Sequence, residues 1–202
     1  MFEHTFEHLE QYTAPPAVRQ PVTDDVARPL PDGPSTLPDV SIRPTSGADH
    51  PNVRRVTEVL AAAGMPGRVV LLSRPAPSAA TAAEQLGCDV GAIANSLVFD
   101  ADGVPLLVLT SGAHRADTAL LGAAVAARVR RADPGFVRLH TGQPIGGVAP
   151  VGHPAPIRTL VDTWLARHQQ VWAAAGHPHT VFSTTYAELL ELTGGRAVDV
   201  ER

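Results

Sequence analysis

The stretch "ANSLVFDADGVPLLVLTSG", residues 94 to 112, constrains the fold more than any other. Two runs rich in β-branched and aliphatic residues flank Asp102 and Gly103, and an Asp-Gly pair between such runs is the residue chemistry of a two-residue hairpin turn. The spacing predicts an antiparallel hairpin, with Pro105 at a sheet edge or at the start of a ladder, because proline has no N–H to give to a neighbouring strand.

The segments after residue 48 alternate between helix and strand signals. "DHPNVRRVTEVLAAAG" carries Val53, Val56, Val59, Leu60 and Ala63 at helical spacing, with Pro51 suited to a first turn and Gly64 to a stop. "RVVLL" (68–72) reads as a strand. "TAAEQLG" places Thr81 three residues before Glu84, a capping-box pattern for a short helix ended by Gly87. Asp117 is suited to cap a helix over 118–127, and Asp133 with Pro134 opens another that Gly142 closes. "IRTLVD", "QVWAAA" and "HTVFS" read as strands. Thr185 and Glu188 cap the helix in "YAELLELTG", and a last strand lies around "AVDV". Strands joined partly by hairpins and partly by helices favour an α+β fold with a mixed sheet over a doubly wound parallel one.

Residues 1–48 differ. They are dense in proline and lack periodicity, so they are expected to form a flexible extension, with a short helix around Phe2, Phe6 and Leu9, preceding a domain over 49–202. The chain has 202 residues, 44% hydrophobic content and a formal charge of -4, which suits one domain plus a tail. No apolar run approaches the ~20 residues of a membrane span, and the start lacks a signal-peptide pattern, so a cytoplasmic location without membrane contact is expected. Cys88 stands alone, which excludes an internal disulfide and dithiol chemistry. All 16 basic residues are arginine, which excludes lysine Schiff-base chemistry. The mildly acidic total argues against coating nucleic acid by bulk charge, while leaving room for a local arginine patch.

The loop "TGQPIGGVAPVGHP" (141–154) is rich in glycine and proline, so its backbone is controlled and Gly146 and Gly147 let main-chain groups approach a ligand. His153 at its end is either a general base or an ordinary surface histidine. In "LTSGAHRADTALLG", Ser111, Gly112 and Arg115 fall between a strand and a helix, a place for a pocket rim and for phosphate contact. A GxSxG elbow is absent and no carboxylate or cysteine stands at metal-ligand spacing around the histidines, so neither a serine hydrolase nor a metal centre is expected.

Taken in order, "TAAEQLGCDVGAIANSLVF", "LLVLTSGAHRADTALLGAA", "TGQPIGGVAPVGHP", "VWAAAGHPHTVF" and "AELLELTGGRAVDV" resemble the YbaK / prolyl-tRNA synthetase-associated domain family of aminoacyl-tRNA deacylases over about residues 51–201. The resemblance implies a mixed, barrel-like sheet flanked by helices, no cofactor, and a pocket for the aminoacyl end of a mischarged tRNA, often proline tRNA, in an enzyme free in solution or fused to a synthetase. Contact with a synthetase or translation factor is compatible with it. It also implies that Gly146 and Pro150 shape the pocket and that the loop's backbone groups, assigned to Gly147 and Val148, position the ester; Ser111, Gly112 and Arg115, from their place between strand and helix, are expected to border the entrance. His153 is carried as a substrate-binding candidate. A family histidine that helps select the amino acid falls on His177 or His179, of which His177 is carried. The tRNA's own terminal hydroxyl is expected to assist, so no side-chain triad is needed. One departure stands out: where the family has lysine in "KSLVF"-type segments, this chain has Asn95. A neutral donor there leaves three readings open, namely a free-standing deacylase, a binding module that has lost catalysis, and an esterase for small molecules.

Overall fold

A computed structural model describes residues 49–66 and 68–202. The expected extension over residues 1–48, and the short helix expected in it, lie outside the described residues. Eight strands form one mixed sheet: β1 (Val69–Leu71), β2 (Ile93–Ala101), β3 (Val104–Ser111), β4 (Val129–Arg131), β5 (Arg158–Asp162), β6 (Val171–Ala174), β7 (Thr180–Thr184) and β8 (Arg196–Val198). Helices α1 (Pro51–Ala62), α2 (Ala79–Leu86), α3 (Thr118–Val125), α4 (Pro134–Thr141) and α5 (Tyr186–Thr193) flank it. The strand order is β1-β7-β6-β2-β3-β5-β8, with β4 also paired to β2. The contacts β2–β6, β3–β5 and β5–β8 are parallel and the others antiparallel. This is the mixed, helix-flanked sheet that the sequence implies.

The β2–β3 hairpin turns on Asp102 and Gly103, both with positive φ (53° and 86°), as a primed two-residue turn demands. The Asp100 carboxylate accepts the Gly103 N–H at 2.6 Å and both Arg130 contacts, at 2.8 and 3.0 Å, which together hold its pKa below the ordinary carboxylate value. Pro105 lies opposite Asp100 and just before Leu106, where the β5 ladder begins, so it marks a ladder start inside the sheet and not an edge.

Local caps set most helix ends. Asp117 accepts the N–H groups of Ala119 and Leu120, Asp133 accepts that of Phe136, and Thr185 with Glu188 forms a reciprocal capping box. Arg68 donates to Glu188 at 2.7 Å, and that contact leads in lowering the Glu188 pKa. Two expectations need correction. The cap of α2 is Ser78, not Thr81: Ser78 accepts the Thr81 N–H at 3.2 Å, so Thr81 lies inside the first turn. Either hydroxyl suits a cap, and it is Ser78 that has the extended backbone of a capping residue. The last strand is Arg196–Val198, ahead of the predicted position, because it continues the parallel ladder of β5 from Leu160 to Asp162.

The main core lies on one face of the sheet, where Leu107, Leu109, Val161, Val171 and Phe182 are all fully buried. Burying each such side chain is worth roughly 1.5–3 kcal/mol. On the other face, Ile93 packs under α2 with Ala82 and Ala83, while Phe99, Leu106 and Val108 pack under α3 with Leu121 and Val125. Among the described residues no helix is long and apolar enough to cross a membrane.

Candidate functional site

Strand β2 is the element around which the site is built. Along its whole length it pairs with β3, but on its other side β6 covers only Ile93 and Ala94, and β4 only Phe99 to Ala101. The segment Asn95–Val98 therefore has a strand on one side alone, and a cavity of about 250 Å³ opens there. The walls are the loop before α2 (Ala76–Ser78), β2 from Ile93 to Leu97, and the turn residues Ile145, Gly146 and Val148. Trp172, His177 and Thr180 close the remaining side.

Three polar side chains at this strand lack a protein partner. The Asn95 side chain makes no hydrogen bond among the described residues, the buried Ser96 Oγ on the cavity wall has none, and neither has Thr110 Oγ1, which sits opposite Asn95 on β3 and is 1% exposed. Buried polar groups in folded proteins are nearly always satisfied, so the unpartnered Ser96 Oγ on the cavity wall is a candidate ligand contact, whereas Thr110 lies outside that wall.

The glycine-proline loop is held rigid by groups behind it. Gln143, 1% exposed, accepts the Ala149 N–H at 2.6 Å and donates to the Val151 carbonyl at 3.3 Å. His153 Nε2 lies 2.9 Å from the Ala149 carbonyl; that oxygen can only accept, so Nε2 carries the proton. Burial is the main reason the His153 pKa is lowered, and the Ala149 contact opposes it. Val148, Ala149 and Val151 are packed in the main core. Gly147 donates its N–H to Pro144 at 3.0 Å, closing a turn in which Gly146 has φ +85°. A Cβ on Gly147 would stand 2.8–2.9 Å from the His177–Pro178 backbone, whereas one on Gly146 would meet nothing. Gly147 thus lets the loop dock on the segment that carries His177. The amides of Gly146 and Val148 donate to no protein acceptor among the described residues.

His177 accepts the His179 N–H at Nδ1 (3.3 Å), which leaves the proton on Nε2 of the neutral ring. Its ring lies 5.1 Å from His50 and 5.5 Å from His179. Burial first, then these two neighbours, push its pKa down. The neutral imidazole is a hydrogen-bond donor on the cavity wall.

Of the expected residues, Asn95, Gly146, Val148 and His177 line one cavity. Gly147 and Pro150 are buried and do not line it; Gly147 docks the loop on the His177–Pro178 backbone, and its N–H is taken up in the turn. Ser111, Gly112, Arg115 and His153 do not line it. Ser111 is buried, its Oγ donating to Gly91 (2.8 Å) and its N–H to Asp162 (3.0 Å). Gly112 packs where a Cβ would fall 2.3 Å from the Val90 carbonyl. Arg115 is exposed near Glu201, and His153 braces the loop. The end of β3 that carries Ser111 leads toward the carboxyl ends of β5 and β8, away from the open edge of β2. Gln143, Ser96, Trp172 and the Ala76–Ser78 loop were not singled out from the sequence; a glutamine or serine carries no local sign of burial. Among the described residues no group of three or more His, Cys, Asp or Glu side chains is placed to hold a metal.

A family model described as an aminoacyl-tRNA editing domain matches residues 73–192, a span that contains every residue of the cavity wall. The chain belongs to this aminoacyl-tRNA editing domain family. The fold of this editing domain is shared with a crystal structure described as a candidate trans-editing enzyme for prolyl tRNA synthetase: 39% identity, a TM-score of 0.71, and coverage of 75% of this chain and 98% of that one. The crystal structure of hypothetical protein APE2540 is 29% identical, with a TM-score of 0.68 and coverage of 72% and 98%. Uncharacterized protein YwhH of Bacillus subtilis (strain 168) is 31% identical over 113 residues, 55% of this chain and 72% of that protein.

Proposed function

We propose that this editing domain is an aminoacyl-tRNA deacylase acting in trans, which hydrolyses the ester joining a small, wrongly attached amino acid to tRNA, with proline tRNA as the carrier. The observation that carries this reading is the cavity at the open edge of β2, which Asn95, Gly146, Val148 and His177 line together. The likeness to a candidate trans-editing enzyme for prolyl tRNA synthetase supports the choice of carrier.

Each group has a chemical task in the proposal. The Gly146 and Val148 N–H groups donate to the ester carbonyl oxygen as charge builds on it, a main-chain oxyanion site whose rigidity comes from Gln143. Asn95 donates to a ribose oxygen of the terminal nucleoside. His177, with its proton on Nε2, contacts the aminoacyl group and helps set its size. A water attacks the carbonyl carbon, the acyl–oxygen bond breaks, and the ribose oxygen leaves with a proton while the amino acid retains the water oxygen. The vicinal ribose hydroxyl of the substrate relays that proton, so the wall needs no side-chain base. Discrimination at such a site is useful because one methylene changes binding by only ~1–3 kcal/mol in synthetic selection.

The neutral Asn95 favours a second reading, a binding module of the same fold. Turnover on a panel of mischarged tRNAs decides between them. Deacylation by the unaltered chain supports the first reading; activity only in Asn95→Lys supports the second. Hydrolysis of simple amino-acid esters with no gain from tRNA would overturn both in favour of a small-molecule esterase.

A further inference from the structure

A tRNA end brings phosphates as well as an ester, and the cavity wall contains no arginine. The register of β2 and β4 places a cation diagonal to Leu97 of that wall. Residues 93, 95, 97 and 99 of β2 share one face of the sheet, since side chains alternate along a strand. On that face α2 covers Ile93 and α3 covers Phe99, leaving Leu97 between them, 38% exposed and on the cavity wall. Arg131 of β4 is opposite Phe99 and therefore on the same face, diagonal to Leu97. Diagonal neighbours of this kind lie about 7–8 Å apart, within the span of an arginine side chain. Arg131 is exposed and has no carboxylate partner among the described residues, whereas Arg130, on the opposite face, is engaged by Asp100. Asp133, the nearest acid along the chain, is occupied in capping α4 through the Phe136 N–H.

We propose that Arg131 is a phosphate-binding residue for the single-stranded 3′ end of tRNA, which runs from the cavity across Leu97 to β4 between α2 and α3. The inference rests on the deacylase reading and adds to it a path for the nucleic acid. Arg131 supplies from the neighbouring strand the positive charge that Asn95 does not. A guanidinium suits this task because its fork donates to two phosphate oxygens at once.

The test is binding of a 5′-labelled, uncharged proline tRNA transcript to the whole chain, measured against salt concentration, with deacylation kinetics alongside. Arg131→Ala and Arg131→Gln are expected to weaken binding about tenfold and to reduce the slope of log K against log salt by about 0.7, the value for one phosphate contact on a single strand. KM should rise while kcat is retained. Neither variant should alter binding of a transcript that lacks its single-stranded 3′ end. Arg54→Ala, on the exposed face of α1, should change nothing, and Asn95→Lys should restore affinity to Arg131→Ala. An unchanged salt slope and KM in both Arg131 variants, with the unaltered chain active, would overturn the Arg131 assignment alone. A chain that neither binds nor deacylates tRNA would overturn the deacylase reading and this inference with it.

Discussion

Replacing Gln143 tests the claim that the working surface of this domain is a braced main-chain loop. The side chain is buried and joins two backbone groups, the Ala149 N–H and the Val151 carbonyl, across the base of the loop. Gln143→Leu keeps the volume but leaves both groups without a partner in the core. Each unsatisfied buried group costs about 1–3 kcal/mol, so a loss of roughly 2–6 kcal/mol is expected, less if water enters. For a domain of this size that corresponds to a fall in Tm of about 4–24 °C. Gln143→Glu is the sharper companion. Its carboxylate still accepts from Ala149 but sets a second oxygen against the Val151 carbonyl, a contact that becomes favourable only when the acid is protonated. The glutamate variant should therefore regain stability relative to the leucine variant as pH falls from 7 to 5. Urea denaturation across that range measures both effects, and deacylation kinetics should show kcat/KM falling in parallel, because the Gly146 and Val148 amides lose their alignment. A Gln143→Leu protein with unaltered Tm and unaltered turnover would refute the bracing argument.

Gly147→Ala should cost about 1–3 kcal/mol and lower turnover, since its Cβ meets the His177–Pro178 backbone, which cannot move aside as a flexible side chain would; thermal melts and deacylation assays check both. His153 adds a pH dependence of known sign. Its folded pKa lies below the ordinary 6.5, so the unfolded chain binds the proton more readily. The stability that the neutral ring contributes is present above about 6.5 and is lost as pH falls through the folded value. The difference in urea midpoint between the unaltered chain and His153→Gln, measured at pH 7.5, 6.5 and 5.5, should shrink toward low pH; a constant difference would contradict the assignment.

How much of this was legible in the sequence depends on the range of the interactions involved. Asp102-Gly103, Asp117, Asp133-Pro134 and Thr185/Glu188 act within four residues of themselves, so their turn and helix starts could be read directly. Where two nearby hydroxyl residues had equal local merit, as with Ser78 and Thr81 at α2, the local pattern did not choose between them. Strand β4 was not foreseen, because "VRR" has no alternating pattern and becomes a strand only through the edge that Phe99 to Ala101 offers.

The candidate site divides in the same way. A loop dense in glycine and proline announces that its backbone matters, and the order of motifs announces a family; both are properties of the chain itself. That Asn95 faces Gly146 and His177, that Ser111 faces elsewhere, and that Arg131 shares a sheet face with Leu97 follow from strand order and register. These pairings join residues far apart in sequence, and no local preference encodes a contact whose free energy comes from burying two distant segments against each other.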